Sequence, residues 1–174
     1  SGGFNDYQTF YGGDGFDTVF GDFSWTSTSV SSSYNGVFMN SVFVALDVER
    51  YILTGGSGDD VFSTNDGVVA ADVLNGGGGR DVLAGYKGAD IMNGGDGNDD
   101  IYMHSGADQI DGGAGVDALL YRLDADQMNV SQTFDASAFV GMTTAGGVTL
   151  ASGALVRNME ILQAQLSNVG DTIL

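Results

Sequence analysis

The sequence contains no cysteine and no proline, and only five of its 174 residues are Lys or Arg. The absence of cysteine excludes disulfide bonds and thiolate metal ligands. Because 23 residues are acidic, the net charge is −18, which argues against nucleic acids and anionic membrane surfaces as partners. No apolar run approaches the roughly 18 residues of a membrane span. No basic segment followed by an apolar stretch opens the chain, so we expect no signal peptide here.

Aspartate and glycine are in large excess. The only glutamates are Glu49 and Glu160, and all the other acids are Asp. An ordinary acidic surface would mix the two, so this bias indicates positions where side-chain length matters, as in metal sites. Glycine makes up 29 residues, far above the usual share of about 7%. Since 43% of the residues are hydrophobic, the chain can bury a core, and simple disorder is disfavoured.

A nine-residue pattern, G-G-x-G-x-D-x-U-x with U a large apolar residue, recurs along the chain. Five consecutive copies occupy 76–120, and further copies lie at 12–20, 55–63 and 67–75, the last after a three-residue insertion, Thr64–Asp66. Every copy keeps the Asp and the apolar residue. The Asp positions are Asp17, Asp60, Asp72, Asp81, Asp90, Asp99, Asp108 and Asp117; the apolar positions are Val19, Phe62, Leu74, Leu83, Met92, Ile101, Ile110 and Leu119.

This period favours stacked turns and short strands. Nine residues are too few for a helix and its return, and each Gly would cost a helix about 1 kcal/mol, whereas Gly suits turns with positive φ. One apolar residue per strand would point inward. Stacked strands lie about 4.8 Å apart, and Ca–O bonds are roughly 2.4 Å, so one calcium ion can bond two stacked turns. Asp reaches such an ion, whereas Glu would overshoot.

The pattern resembles the RTX (repeats-in-toxin), or hemolysin-type, calcium-binding nonapeptides of proteins exported by type I secretion. The resemblance implies an all-β fold, a parallel β-roll or right-handed β-solenoid, in which two nonapeptides form one 18-residue coil. It also implies calcium ligands from two stacked turns: the first and third carbonyls and the Asp of one turn, with the second and fourth carbonyls and the Asp of the next. For the turns at 76 and 94, these are Gly76, Gly78 and Asp81 with Gly95, Gly97 and Asp99.

Alternate repeats should lie on opposite edges of the roll. Edge A carries the turns 55–60, 76–81, 94–99 and 112–117, which keep every Gly; edge B carries 67–72, 85–90 and 103–108, which lose one or more. We expect three consensus sites on edge A and at most two weaker ones on edge B, giving about three to six calcium ions in all. The candidate ligands are Gly55, Ser57, Gly58, Asp60, Gly76, Gly77, Gly78, Gly79, Asp81, Gly94, Gly95, Asp96, Gly97, Asp99, Gly112, Gly113, Ala114, Gly115 and Asp117 on edge A, Asp72, Gly85, Lys87, Gly88, Asp90, Ser105, Gly106 and Asp108 on edge B, and Gly12, Asp14 and Asp17 in the first copy.

Two non-repeat segments divide the chain into 1–54, the roll proper at 55–120, and 121–174. Both should be β-rich and extend or cap the roll. They look like copies of one design, because Glu49 precedes Asp60 by eleven residues and Glu160 precedes Asp171 by eleven. We therefore expect a duplicated unit, excised from a larger protein, with a second array beginning at Asp171. We also predict that the turn 12–17 stacks beneath 55–60, with a calcium ion between Asp17 and Asp60.

No catalytic constellation is present. The only His is His104, in a degenerate turn, and neither an H-E-x-x-H nor a G-x-S-x-G motif exists. Asp96, Asn98 and Asp100 imitate the start of an EF-hand, but Ala107 stands where its twelfth-position Glu should be. The sequence therefore predicts a non-catalytic module of a secreted, monomeric protein that folds on binding calcium outside the cell and supports neighbouring domains. The alternatives are a carbohydrate- or surface-binding adhesion module, and an accessory domain of a secreted hydrolase or polysaccharide epimerase.

Overall fold

The computed structural model describes residues 8–33, 36–39, 43–46, 48–64, 67–122, 133–134, 143, 146–150, 153–165 and 172–173, and these contain strands and turns but no helix. The strands are β1 Gln8–Tyr11, β2 Thr18–Asp22, β3 Val30–Ser33, β4 Gly36–Met39, β5 Phe43–Leu46, β6 Arg50–Thr54, β7 Val61–Ser63, β8 Val73–Gly78, β9 Val82–Ala84, β10 Lys87–Gly88, β11 Ile91–Asp96, β12 Asp100–Met103, β13 Ser105–Gly106, β14 Gln109–Ala114, β15 Ala118–Arg122, β16 Thr133–Phe134, β17 Val148–Thr149, β18 Leu155–Arg157, β19 Ile161–Gln165 and β20 Thr172–Ile173.

Two seven-stranded sheets form the body of the molecule. Sheet I has the order β2-β6-β8-β11-β14-β18-β17, and sheet II has the order β4-β3-β7-β9-β12-β15-β19. Through the repeats, the chain passes from one sheet to the other and back, and neighbouring strands are parallel. Only the outer pairs β3–β4 and β17–β18 are antiparallel within these sheets. The fold is therefore the expected parallel β-roll.

The strand register confirms the 18-residue coil. Sheet I stacks Val73, Ile91 and Gln109, and neighbours in this row are 18 residues apart in the sequence. In sheet II, Val61 pairs with Val82, 21 residues on, because the three-residue insertion lies between them. The insertion leaves the alternation of sheets intact, so it adds length to one turn and does not interrupt the roll.

The conserved apolar position of each repeat builds the core. Rows of inward side chains line both sheets, and all are at most 2% exposed: Leu74, Met92 and Ile110 in sheet I, and Phe62, Leu83, Ile101 and Leu119 in sheet II. Val19 packs against this core and is partly buried. Burial of each large side chain contributes about 1.5–3 kcal/mol, so the stack of coils is held together along its whole length.

Strands outside 55–120 belong to the two sheets of the roll. Strands β2, β3 and β6 add to it before the main array, and β18 and β19 add to it afterwards. Residues 123–132 and 135–142 and the predicted array start at Asp171 lie outside the described residues.

The predicted stacking of turn 12–17 on turn 55–60 is wrong. Turn 12–17 leads into β2 of sheet I, so it lies on edge B, whereas 55–60 leads into β7 of sheet II. The segment 21–54 contributes β3 and β4 to sheet II and then β6 to sheet I, which is a half-coil more than the prediction required. Residues 23–29 face turn 55–60 instead, and Ser57 N–H donates to Thr26 O at 2.9 Å.

Candidate metal centre

A column of buried carboxylates runs along edge A. Asp60, Asp81, Asp99 and Asp117 are at most 1% exposed. The backbone N–H of each donates to Oδ1 of the next, at 2.7 Å from Asp60 to Asp81 and at 2.8 Å for the two following pairs. Since the coils stack in register, one carboxylate oxygen of each Asp is fixed by the turn before it.

Edge B carries a second column of the same construction. Asp72 N–H donates to Asp90 Oδ1 at 2.9 Å, and Asp90 N–H donates to Asp108 Oδ1 at 3.0 Å. Tyr51 N–H donates to Asp72 Oδ1 at 2.7 Å and so begins this column. The degenerate turns therefore hold their Asp side chains as the consensus turns do.

The second carboxylate oxygen is buried without a donor in most of these residues. In the part of the chain that the structure describes, Oδ2 accepts no hydrogen bond in Asp81, Asp99 and Asp117 on edge A, or in Asp90 and Asp108 on edge B. Asp60 differs, because its Oδ2 accepts from Gly56 N–H at 3.0 Å. An unpaired carboxylate oxygen removed from water is costly unless a cation satisfies it.

Burial raises the pKa of these carboxyl groups. The pKa rises to about 7 for Asp81 and Asp90, and to about 6 for Asp108 and Asp117, chiefly through desolvation. Neighbouring carboxylates add to the rise, whereas the backbone N–H groups oppose it. The folded chain without a cation therefore resists holding these groups charged at neutral pH.

Backbone carbonyls converge on the same places from the preceding turn. A Cβ on Gly95 would collide with Gly77 O, and one on Gly97 would collide with Gly79 O. The second and fourth carbonyls of turn 76–81 thus face turn 94–99. Gly95 can approach so closely because it lacks a side chain and has a φ of 111°.

The first and third carbonyls face the other way. A Cβ on Gly76 would lie 2.6 Å from Gly94 O, and Gly79 N–H donates to Asp96 O at 2.9 Å. The site between turns 76–81 and 94–99 therefore faces the carbonyls of Gly77 and Gly79 and those of Gly94 and Asp96. This reverses the polarity that the resemblance implied, because the turn conformation, which residue types do not specify, decides where each carbonyl points.

The donor set fits calcium. Each pair of stacked turns offers two carboxylates and several carbonyls, which are the hard oxygen ligands that Ca²⁺ takes six to eight at a time. Within the described ranges, no group of three or more His, Cys, Asp or Glu side chains is placed to hold a metal ion, so backbone carbonyls would have to complete the coordination of each site. A bound calcium ion would supply the positive charge that the buried carboxylates lack.

The two edges differ at the second turn position. Gly77, Gly95 and Gly113 fill it on edge A, whereas on edge B Tyr86 adopts a φ of 61° and stacks on His104 with ring centroids 4.6 Å apart. An L-residue in this region of φ carries backbone strain. The lower affinity expected for edge B stays a prediction.

Three residues near these columns were not among the candidate ligands predicted from the sequence. Glu160 Oε2 accepts from Asp117 N–H at 2.8 Å, and Glu49 Oε2 accepts from Asp17 N–H at 2.8 Å. Thr64, in the insertion, is 2% exposed and donates its hydroxyl to Gly85 O at 2.9 Å. The rarity of glutamate was the available signal, whereas nothing in the sequence distinguished Thr64.

The comparisons with known proteins agree with this geometry. The family model for the RTX calcium-binding nonapeptide repeat matches in four copies, at residues 8–24, 52–68, 66–101 and 104–128, which cover more than half of the chain. No curated protein and no solved structure gave a match. The described part of the chain has no helix of the length and apolar character that a membrane span needs. The recognised module is non-catalytic, and the chain belongs to the family of RTX calcium-binding nonapeptide repeats.

Proposed function

We propose that this chain folds on binding calcium outside the cell, and that the folded roll scaffolds the protein of which it is a part. The observation that carries the proposal is the double column of buried Asp carboxylates, most of whose second oxygens have no donor among the described residues. A protein that buries such groups gains most of its stability from the cation that neutralises them, so binding free energy becomes folding free energy.

The negative charge of the chain also favours calcium-dependent folding. The net charge is −18, and Asp side chains repeat along each edge at the strand spacing of about 4.8 Å. Without a cation, this repulsion adds to the desolvation cost. The cytosol, with little free calcium, would then keep the chain unfolded, and the extracellular medium would fold it. Secretion, a monomeric state and contacts with neighbouring domains are parts of this proposal.

The test is a far-ultraviolet circular dichroism titration. The calcium-free chain should give a coil spectrum that converts to β as Ca²⁺ rises into the millimolar range. Mg²⁺ is the matched control, because it demands a smaller octahedral shell and should not fold the chain at the same concentration. A β spectrum that persists in chelator would contradict the proposal.

A cleft on the outer face of sheet I supports a second candidate, a carbohydrate- or surface-binding role, including that of an accessory domain of a secreted hydrolase or epimerase. The cleft has a volume of about 280 Å³ and presents Asn75, Asn93 and Arg157 beside the apolar Ile91 and Leu155. Amide and guanidinium donors beside an apolar strip suit a sugar face. Calorimetry with neutral and acidic oligosaccharides tests this role, and loss of binding in Asn93→Ala would support the cleft. Absence of any binding to the calcium-loaded chain would reject it.

A further inference from the structure

We propose that the short turn 158–160 closes an additional calcium site at the C-terminal end of edge A, in which Glu160 replaces the aspartate of a consensus turn. This inference rests on the proposed calcium-dependent function and names a ligand type outside the nonapeptide pattern. The site would lie between turn 112–117, inside the last match to the repeat family, and the short turn, which lies beyond that match.

The backbone of the short turn imitates the start of a consensus turn. Between consensus turns, a Cβ on Gly94 would collide with both Asp99 Oδ2 and Gly112 O. One coil later, a Cβ on Gly112 would collide with Asn158 O and lie 2.7 Å from Asp117 Oδ2. The same two kinds of oxygen, a carboxylate oxygen and the first carbonyl of the following turn, therefore converge at both places.

The carboxylate of Glu160 occupies the next position of the column. Asp117 N–H donates to Glu160 Oε2 at 2.8 Å, the distance at which Asp99 N–H donates to Asp117 Oδ1. A consensus turn has six residues and this one has three, so the extra methylene of Glu spans a gap that Asp would not reach. Met159, between the two oxygen donors, is fully buried and anchors the turn in the core.

Asp117 is the second, independent sign of a ligand at this place. It is fully buried, and its Oδ2 accepts no hydrogen bond from the described residues. The opposing carbonyl is held in position, because Asn158 has a φ of 52° and donates from Nδ2 to Asp111 Oδ1 at 2.6 Å. If Glu160 only ended the column, its carboxylate would satisfy the Asp117 N–H but leave Asp117 Oδ2 without a partner.

The first repeat carries a second copy of the same arrangement. Asp17 N–H donates to Glu49 Oε2 at 2.8 Å, and Arg50 N–H donates to Asp17 O at 3.0 Å, as Ile161 N–H does to Asp117 O at 2.9 Å. Val48, which precedes Glu49 as Met159 precedes Glu160, is also buried. Asp17 Oδ2 is likewise buried with no donor in the described part of the chain. Turn 12–17 would therefore share a calcium site with Glu49, as turn 112–117 would with Glu160.

Ion counting tests the proposal with matched variants. Glu160→Gln and Glu49→Gln keep an oxygen that can accept the Asp N–H but remove the charge, so each should lose one bound calcium ion and the double variant two. Asp22→Asn is the control, because Asp22 is exposed and lies outside the candidate ligands; it removes one charge, keeps an oxygen that can accept from Ser24 N–H, and should lose no ion. The number of ions is read by native mass spectrometry of the folded, calcium-loaded chain.

The ion counts distinguish a failure of the proposed function from a failure of the glutamate sites. A wild-type chain that binds no calcium would overturn the proposed function itself. A wild-type chain that binds calcium, with Glu→Gln variants that fold and bind as many ions, would overturn only the role of the glutamates.

A second measurement needs no variant and decides the matter if the Gln variants fail to fold. Because Glu49 and Glu160 are the only glutamates, ¹³C-labelled Glu places an infrared marker on these two carboxylates alone. In the folded protein, exchange of Ca²⁺ for Sr²⁺ should shift the labelled carboxylate bands, since directly bound carboxylates respond to the size of the cation. Bands that do not move would overturn the proposal.

Discussion

Without calcium, the chain should be unfolded at neutral pH and folded at mildly acidic pH. The buried carboxyl groups have folded pKa values above the ordinary value of 3.8, at about 7 for Asp81 and Asp90 and about 6 for Asp108 and Asp117. A raised carboxyl pKa favours the folded state only while the group is protonated. This contribution is fully present below pH 3.8 and is lost as pH rises from there to about 7.

The size of the effect is comparable to the stability of a whole domain. One pKa unit corresponds to about 1.4 kcal/mol, so Asp81 and Asp90 each cost the calcium-free fold roughly 4 kcal/mol at neutral pH. Asp108 and Asp117 each cost roughly 3 kcal/mol. Together these costs are of the same order as the roughly 5–15 kcal/mol that separates folded from unfolded states in ordinary proteins. The calcium-free chain should therefore be unfolded near pH 7.5 and regain β structure near pH 4.5.

The assay is far-ultraviolet circular dichroism of protein dialysed against calcium-depleted buffer, since chelators lose their affinity in acid. Roughly 1 M NaCl at neutral pH is the control, because salt screens exposed charges but does not relieve desolvation. As a second control, Asp81→Asn with Asp90→Asn removes two buried charges and should stabilise the calcium-free chain at pH 7.5 by several kcal/mol. A β signal equal at both pH values, or full rescue by salt, would refute the reasoning.

Three further predictions follow from the stacked turns. Asp99→Ala should lose two calcium ions, because Asp99 belongs to two adjacent sites, whereas Asp108→Ala should lose one; equal losses in native mass spectra would contradict the assignment of the edges. Gly95→Ala should raise the calcium midpoint of folding and lower the free energy of unfolding by about 2 kcal/mol or more, because its Cβ would meet Gly77 O at a positive φ. Ile101→Ala should cost about 2–5 kcal/mol in calcium-saturated urea unfolding, while Ile91→Ala, 42% exposed, should cost much less; similar costs would mean that the faces are misassigned.

The repeat itself made most of the roll predictable. The Asp and apolar positions recur every nine residues, and the register places Leu74 beside Met92 and Ile110 as that spacing requires. Counting half-coils also assigned the edges of the turns within 55–120. These features follow from residue spacing, which is fixed by the period and does not depend on the course of the loops.

The remaining features depend on backbone conformation, which the pattern does not encode. The path of 21–54 contains no nonapeptide, so its length alone could not decide whether turn 12–17 falls on edge A or edge B. The direction of the turn carbonyls was likewise assigned the wrong way round. Glu160 was passed over because it follows no consensus Gly, although its chain length suits a shortened turn.

The hydrogen bonds along each column give the roll two unlike ends. Along edge A, each of these backbone N–H groups points toward the carboxylate of the coil that follows it, from Val30, which donates to Asp60, to Asp117, which donates to Glu160. Loss of a coil from the C-terminal end would leave a backbone N–H without its acceptor, and a cation cannot replace that acceptor. Loss of a coil from the N-terminal end would leave only a carboxylate oxygen without its donor, and a cation can bind that oxygen. The stack therefore has a direction, because each coil supplies the carboxylate acceptor for the coil before it. Natural variation in the number of coils should be tolerated better at the N-terminal end.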